Sequence, residues 1–173
     1  MNRIVSMLGS AGLALALSAC PADGPGTGRL SLAVTDAPVD GATAVVVEFT
    51  GVEVKPADAE ALSFDFDTPR QIDLLALSGH DSEALLQDVE VRAGRYEWVR
   101  LKVNAVADGV DDSYIDLKDG TRHELYVPSG AQTGLKLNGG FVVPRDASAS
   151  FTVDFDLRQS VHEPMNADRK SVV

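Results

Sequence analysis

An all-β fold, an antiparallel β-sandwich with little helix, is what this sequence predicts, and three observations predict it. Apolar residues recur with a period of two in segment after segment. The alternating runs follow one another at spacings of about ten residues, with Gly, Pro and Asp turns between them. No segment carries a convincing amphipathic helical pattern.

Each run names its buried face. "RLSLAVT" places Leu30, Leu32 and Val34 on one side. "AVVVEFT" does the same with Val45, Val47 and Phe49, and "VEVKP" continues with Val52 and Val54. The apolar phase slips from odd to even numbers across Thr50-Gly51, which predicts a bulge or break at Gly51, because an unabsorbed slip turns a strand inside out. "LSFDF" offers Leu62, Phe64 and Phe66. "RYEWVRLKV" sets Val99, Leu101 and Val103 on one face and Tyr96, Trp98, Arg100 and Lys102 on the other. "YIDLKDGTRHELYV" reads as a hairpin closed by a type I′ turn at Asp119-Gly120. "GLKL" and "FVV" are shorter strand candidates, and "FTVDFDL" alternates Phe151, Val153, Phe155 and Leu157 with polar residues. Residues 71–90 allow either two short strands or one helical turn starting at Asp81-Ser82-Glu83.

The amino-terminal residues obey different chemistry. A short positive start, Asn2-Arg3, precedes an apolar run from Ile4 to Leu17, too short to span a bilayer, which takes about 20 residues. Small residues Ser18 and Ala19 follow, then Cys20, the one cysteine in 173 residues. That order is a secretory signal, and Leu17-Ser18-Ala19-Cys20 resembles the lipobox of bacterial lipoproteins, in which the thiol is lipidated and the signal is cut before it. The alternative is a buried free thiol, since unpaired Cys behaves as a small hydrophobe. The expected organisation is residues 1–19 as a lipoprotein signal peptide, 20–28 as lipidated Cys20 and a flexible tether, 29–160 as the sandwich, and 161–173 as a C-terminal tail. The expected place is the cell membrane or outer membrane, held by lipid outside the cytoplasm.

Charge narrows the partners. The chain carries 15 Lys and Arg against 26 Asp and Glu, a formal net charge of −11. Such a surface repels nucleic acid, whose binding depends on neutralising phosphates. It also favours solubility without implying any specific partner.

The segments "SLAVTDAPVDGATAVVVEFTGVEVKP", "IDLLAL", "AGRYEWVRLKV" and "VPSGAQTGLKL" resemble the bacterial lipoprotein domain of unknown function 4382, over about residues 29 to 160. The "TDAP" and "AG-Y---RL" segments are the most specific parts. The resemblance implies a β-sandwich on the cell envelope with no assigned activity. "RAGRYEWVRL" also resembles a strand entry of prealbumin-like and carboxypeptidase-regulatory-like sandwiches, so the sandwich is expected to be Ig-like or prealbumin-like. Members of the first family usually carry one more strand after the segment matching "DFDLR"; this chain continues instead to "HEPMNADRKSVV".

Candidate chemistry is sparse. His80, His123 and His162 are too far apart in sequence for a familiar metal spacing. Ser129 sits in a glycine loop without an indicated base, and no nucleophile-elbow or phosphate-cradling motif occurs. Carboxylates are the better metal candidates: Asp36 and Asp40 in "TDAPVD", Asp65 and Asp67 in "FDFDTP", and Asp108, Asp111 and Asp112 in "ADGVDD". Calcium takes six to eight oxygens, so several of these would have to converge; the plainer role of each Asp is a turn former. Tyr96, Trp98 and Arg100, on one strand face, could stack on a ligand such as a sugar, or Trp98 could lie in the core under Arg100. The functional expectation is a lipid-anchored, non-catalytic envelope module for binding, adhesion or assembly, needing no cofactor and meeting an envelope protein or carbohydrate. The alternative is a carbohydrate- or calcium-dependent ligand-binding domain that serves an envelope enzyme.

Overall fold

The computed structural model describes residues 24, 26–36, 41–77, 79, 81–127, 134–156, 161–162 and 171–172, with backbone alone at 36, 161–162 and 171–172. Two sheets pack face to face. The smaller holds β10 (Ser148–Phe155), β1 (Thr27–Asp36) and β4 (Glu83–Arg92), in that order. The larger is organised around β2 (Ala42–Pro56). Along one side of β2 runs β3 (Leu62–Asp73). Along the other run β6 (Tyr114–Leu117) beside its first half and β5 (Gly94–Asn104) beside its second. β7 (Arg122–Glu124) extends β6, while β8 (Leu135–Leu137) and β9 (Phe141–Val143) extend β5. All pairings are antiparallel except β1 with β10, which is parallel. A separate short pair, β11 (Val161–His162) and β12 (Ser171–Val172), lies within the expected tail.

Most of the alternating residues face inward where the period of two places them; Leu62, at the start of β3, is instead exposed. Leu30, Leu32 and Val34 meet Val45, Phe49, Val52, Val54, Leu101 and Val103 in one core. Phe49 and Phe155 join the two sheets edge to face, their centroids 6.4 Å apart. Burying a side chain of this size contributes about 1.5–3 kcal/mol.

The predicted slip at Gly51 is a bulge, with the pairing of β2 to both β3 and β5 shifted between Phe49 and Gly51. Gly51 is needed there: a Cβ would lie 2.6 Å from the Phe64 carbonyl oxygen and 3.0 Å from Asp65 Cα. Glycine is the residue that lets two backbones approach this closely.

Four expectations need correction. First, Tyr96 is 1 % exposed and belongs to the core, away from Trp98 and Arg100. Lys55 pairs with Trp98 and Pro56 with Tyr96, so Glu97 is an extra residue on β5. This second bulge turns Tyr96 inward, where it stacks on Phe141 with centroids 4.9 Å apart. Second, the Asp119-Gly120 hairpin forms with the expected arms, but Gly120 has a positive φ of 87° while Asp119 is not among the residues with positive φ. The Gly120 amide donates to the Leu117 carbonyl at 3.0 Å, which makes a type I turn followed by a left-handed glycine instead of type I′. Third, of the two readings of residues 71–90 the strand reading holds from Glu83, where β4 begins, and the helical turn at Asp81 gives way to a single 3₁₀ turn at Leu74–Leu77. Leu74 is fully buried beneath it. Fourth, the sandwich begins at Thr27, inside the expected tether. Gly28 lies against Val143 and the Pro144 carbonyl with no room for a Cβ, and Gly26 accepts a hydrogen bond from the Ala93 amide at 2.7 Å. These glycines allow close contact and do not supply slack.

Candidate functional site

The outer face of the large sheet collects the long polar side chains. β5 presents Trp98, Arg100, Lys102 and Asn104 there, because Val99, Leu101 and Val103 are turned into the core. Each then finds a neighbour across the sheet. Arg100 pairs with Glu53 of β2 at 2.7 Å. Lys102 reaches Asp65 of β3 at 2.7 Å and Ser63 at 2.6 Å. Asn104 donates to Glu48 at 3.0 Å and to Asp112 at 2.8 Å. The ladder continues on the β6–β7 hairpin, where Arg122 donates to both oxygens of Asp116 at 2.7 and 2.8 Å and lies 3.7 Å over the Tyr114 ring. Ser113, buried, fixes the crossing point: its hydroxyl donates to the Asn104 carbonyl at 2.7 Å and accepts from the Glu48 amide at 2.9 Å.

Trp98 is the one aromatic residue of β5 on this face. It is half-buried. The Arg100 guanidinium carbon lies 4.8 Å from its ring centroid and the Lys136 ammonium 4.6 Å. Arg100 therefore lies against the indole on one side and holds Glu53 on the other, and its Nε is screened from solvent without a hydrogen-bond partner. Attraction of each cation to the ring face is of the order of 0.5–1 kcal/mol at such exposure.

The electrostatics follow from these contacts. The hydrogen bond from Lys102 holds the Asp65 carboxyl below its ordinary value, against the opposing effect of desolvation. The hydrogen bond from Arg122 does the same for Asp116, and Arg122 is in turn held above its ordinary range. Within the core, burial raises the Tyr96 hydroxyl above its ordinary value. That hydroxyl donates to the Arg92 carbonyl at 2.8 Å, strapping the corner where the chain leaves the small sheet for the large one.

The candidate calcium ligands are dispersed. Asp65 is engaged by Lys102 on the large sheet, and Asp67 lies exposed on the same strand. Asp108 accepts from the Val110 amide in its own loop, Asp111 lies 3.8 Å from Arg122, and Asp112 accepts from Asn104. Asp36 ends β1 in the other sheet. Among the described residues no three His, Cys, Asp or Glu side chains gather in a group that could hold a metal. Cys20, Asp40, His80 and Ser129 lie outside the described residues. His123 stands near Thr121 on the hairpin, 3.2 Å from its hydroxyl. Among the described residues no helix is long and apolar enough to cross a membrane.

Two participants in the Trp98 cluster escape sequence reading, Glu53 and Lys136. Both reach it through pairing register: Glu53 lies opposite Arg100 on β2, and Lys136 opposite Arg100 on β8. The only signal for Lys136 is its place in the alternating "GLKL".

Comparison with known proteins finds one family. Residues 27–171 match the family described as Domain of unknown function (DUF4382), and the chain belongs to it. No curated protein and no solved structure matches.

Proposed function

We propose that this chain is a lipid-anchored, non-catalytic β-sandwich of the bacterial envelope that binds a partner through the outer face of its large sheet. The anchoring half of the reading rests on Leu17-Ser18-Ala19-Cys20 after a short apolar run. The binding half rests on one observation: Trp98 stands on the solvent side of a sheet whose core is already filled, with Arg100 and Lys136 against its ring. An indole kept out of the core and flanked by two cations suits a contact surface, because Trp and Arg contribute disproportionately to binding. A carbohydrate ligand, the second reading, is favoured by the same exposed ring. Calcium has no such support, since Asp65, Asp111 and Asp112 are engaged by Lys102, Arg122 and Asn104.

The test has two arms. Cys20→Ser should move the protein from the membrane fraction to the soluble fraction; the variant remaining with membranes after signal cleavage contradicts the anchor. The full chain in detergent micelles should be retained on isolated envelope material, and Trp98→Ala should weaken that retention. Equal retention of both proteins contradicts the binding face.

A further inference from the structure

We infer that the surface around Trp98 takes an acidic polysaccharide: a sugar ring lies on the indole and its carboxylate faces Lys136. This rests on the binding-face reading above and names the ligand class for it.

The register decides how the ring is approached. Arg100 and Lys136 are directly paired, so both stand at one level of the sheet, two residues beyond Trp98 along β5. Both cations therefore come to the indole from the same end of the strand. Toward the other end, β8 gives way to the exposed Asn138, then Gly139 and Gly140, before β9 begins. Gly139 has no atom within 4 Å of where a Cβ would stand, and Val142, beyond it, is 60 % exposed. On the side the cations leave free, the sheet edge beside Trp98 thus carries Asn138 and then two glycines, which is room for a flat ring with one amide at its rim.

Charge selects which ring. The chain is strongly acidic, yet this patch is not. Lys55, Arg100, Lys102 and Lys136 lie on the strand of Trp98 and the two neighbouring ones, the Lys55 ammonium donating to the Ala59 carbonyl. Against them stand Glu53, Asp65 and the bulged Glu97. Arg100 and Lys102 are matched by Glu53 and Asp65. Lys136 is exposed, and among the described residues it meets the indole but no carboxylate. A neutral sugar would leave that ammonium unused. A uronate would pair with it while its C–H face covers the indole, combining a charged contact with an apolar one. On a protein of net charge −11, an anionic polymer is otherwise repelled, so such binding has to be local to a patch of this kind.

The experiment uses the full chain in detergent micelles and reads Trp98, the one tryptophan of the sequence, by fluorescence, with affinity electrophoresis as the second readout. The probes are polygalacturonate, the same polymer fully methyl-esterified, and polyglutamate. Polygalacturonate should change the emission saturably, and binding should weaken as salt is raised. The methyl ester should bind about tenfold more weakly, since its carboxylates are masked. Polyglutamate, charged but without sugar rings, should also bind about tenfold more weakly. By retardation, Lys136→Gln should lose about fivefold, the value of one exposed ion pair, and Trp98→Ala at least as much, with unchanged circular dichroism. Equal binding of the ester or of polyglutamate overturns the inference. So does indifference of polygalacturonate binding to both substitutions. No response to polygalacturonate, with envelope retention that still depends on Trp98, overturns the acidic-sugar assignment and leaves the binding face standing. Loss of both overturns the two together.

Discussion

Tyr96 and Trp98 are two residues apart on one strand, and they lie on opposite faces of the sheet. Strict alternation would put them side by side. The single extra residue, Glu97, separates them, sending Tyr96 into contact with Phe141 and leaving Trp98 beside Arg100 and Lys136. The difference shows how one bulge divides a strand into a structural half and a presenting half. The first half fastens the corner between the sheets through the Tyr96 hydroxyl. The second half holds the ladder of charged side chains.

Substitutions at the two ends of that contrast should differ accordingly. Tyr96→Ala should cost about 3–5 kcal/mol, as expected for emptying an aromatic core site. Denaturant midpoints measure it, and a loss under about 1 kcal/mol would place Tyr96 outside the core.

The two bulges of the large sheet sharpen the point. At Gly51 a side chain collides with backbone, so Gly51→Val should cost about 1–3 kcal/mol. At Glu97, exposed and without positive φ, Glu97→Ala should stay within about 0.5 kcal/mol. Equal costs would mean that the two bulges are built alike.

Tyr96→Phe keeps the ring and removes the bond to the Arg92 carbonyl, for a loss of about 1 kcal/mol. It also separates the alkaline behaviour. Burial raises the folded-state Tyr96 hydroxyl above its ordinary value of 10.0. The stabilisation from keeping it neutral is therefore complete below pH 10 and declines as pH rises through the folded value. Unfolding free energy followed above pH 10 should fall more steeply for the parent chain than for Tyr96→Phe; identical slopes would dissociate Tyr96 from the alkaline loss.

At the other end of the contrast the effect is also small. Trp98→Ala should cost under about 1 kcal/mol, the scale of its exposed cation contacts. A loss as large as that of Tyr96→Ala would make Trp98 a core residue and remove the contrast.

These two bulges also mark how far the sequence could be read. Gly51 was legible because an apolar phase slip coincides with a glycine, and only one residue type tolerates the resulting approach. Glu97 was not legible. Tyr96 and Trp98 are both aromatic, so either phase looks amphipathic, and no glycine marks the slip. The strands themselves were legible because each has a wet face, "FTVDFDL" most plainly. The 3₁₀ turn at Leu74–Leu77 was hidden because four consecutive residues, "LLAL", are apolar and have no period. Of the ligand-stacking candidates, Trp98 and Arg100 share the outer face as read, while Lys136 and Glu53 depend on a register that a single sequence does not contain.

The most direct test of this contrast is collisional quenching of Trp98 in the native chain by iodide and by caesium. On a chain of net charge −11, an indole on an average patch of surface is reached more readily by caesium. Arg100 and Lys136 reverse the local field, so iodide should quench Trp98 more strongly than caesium, and Lys136→Gln should narrow the gap. Stronger quenching by caesium, or no quenching by either ion until the protein unfolds, would contradict the placement of Trp98 on a cationic outer face.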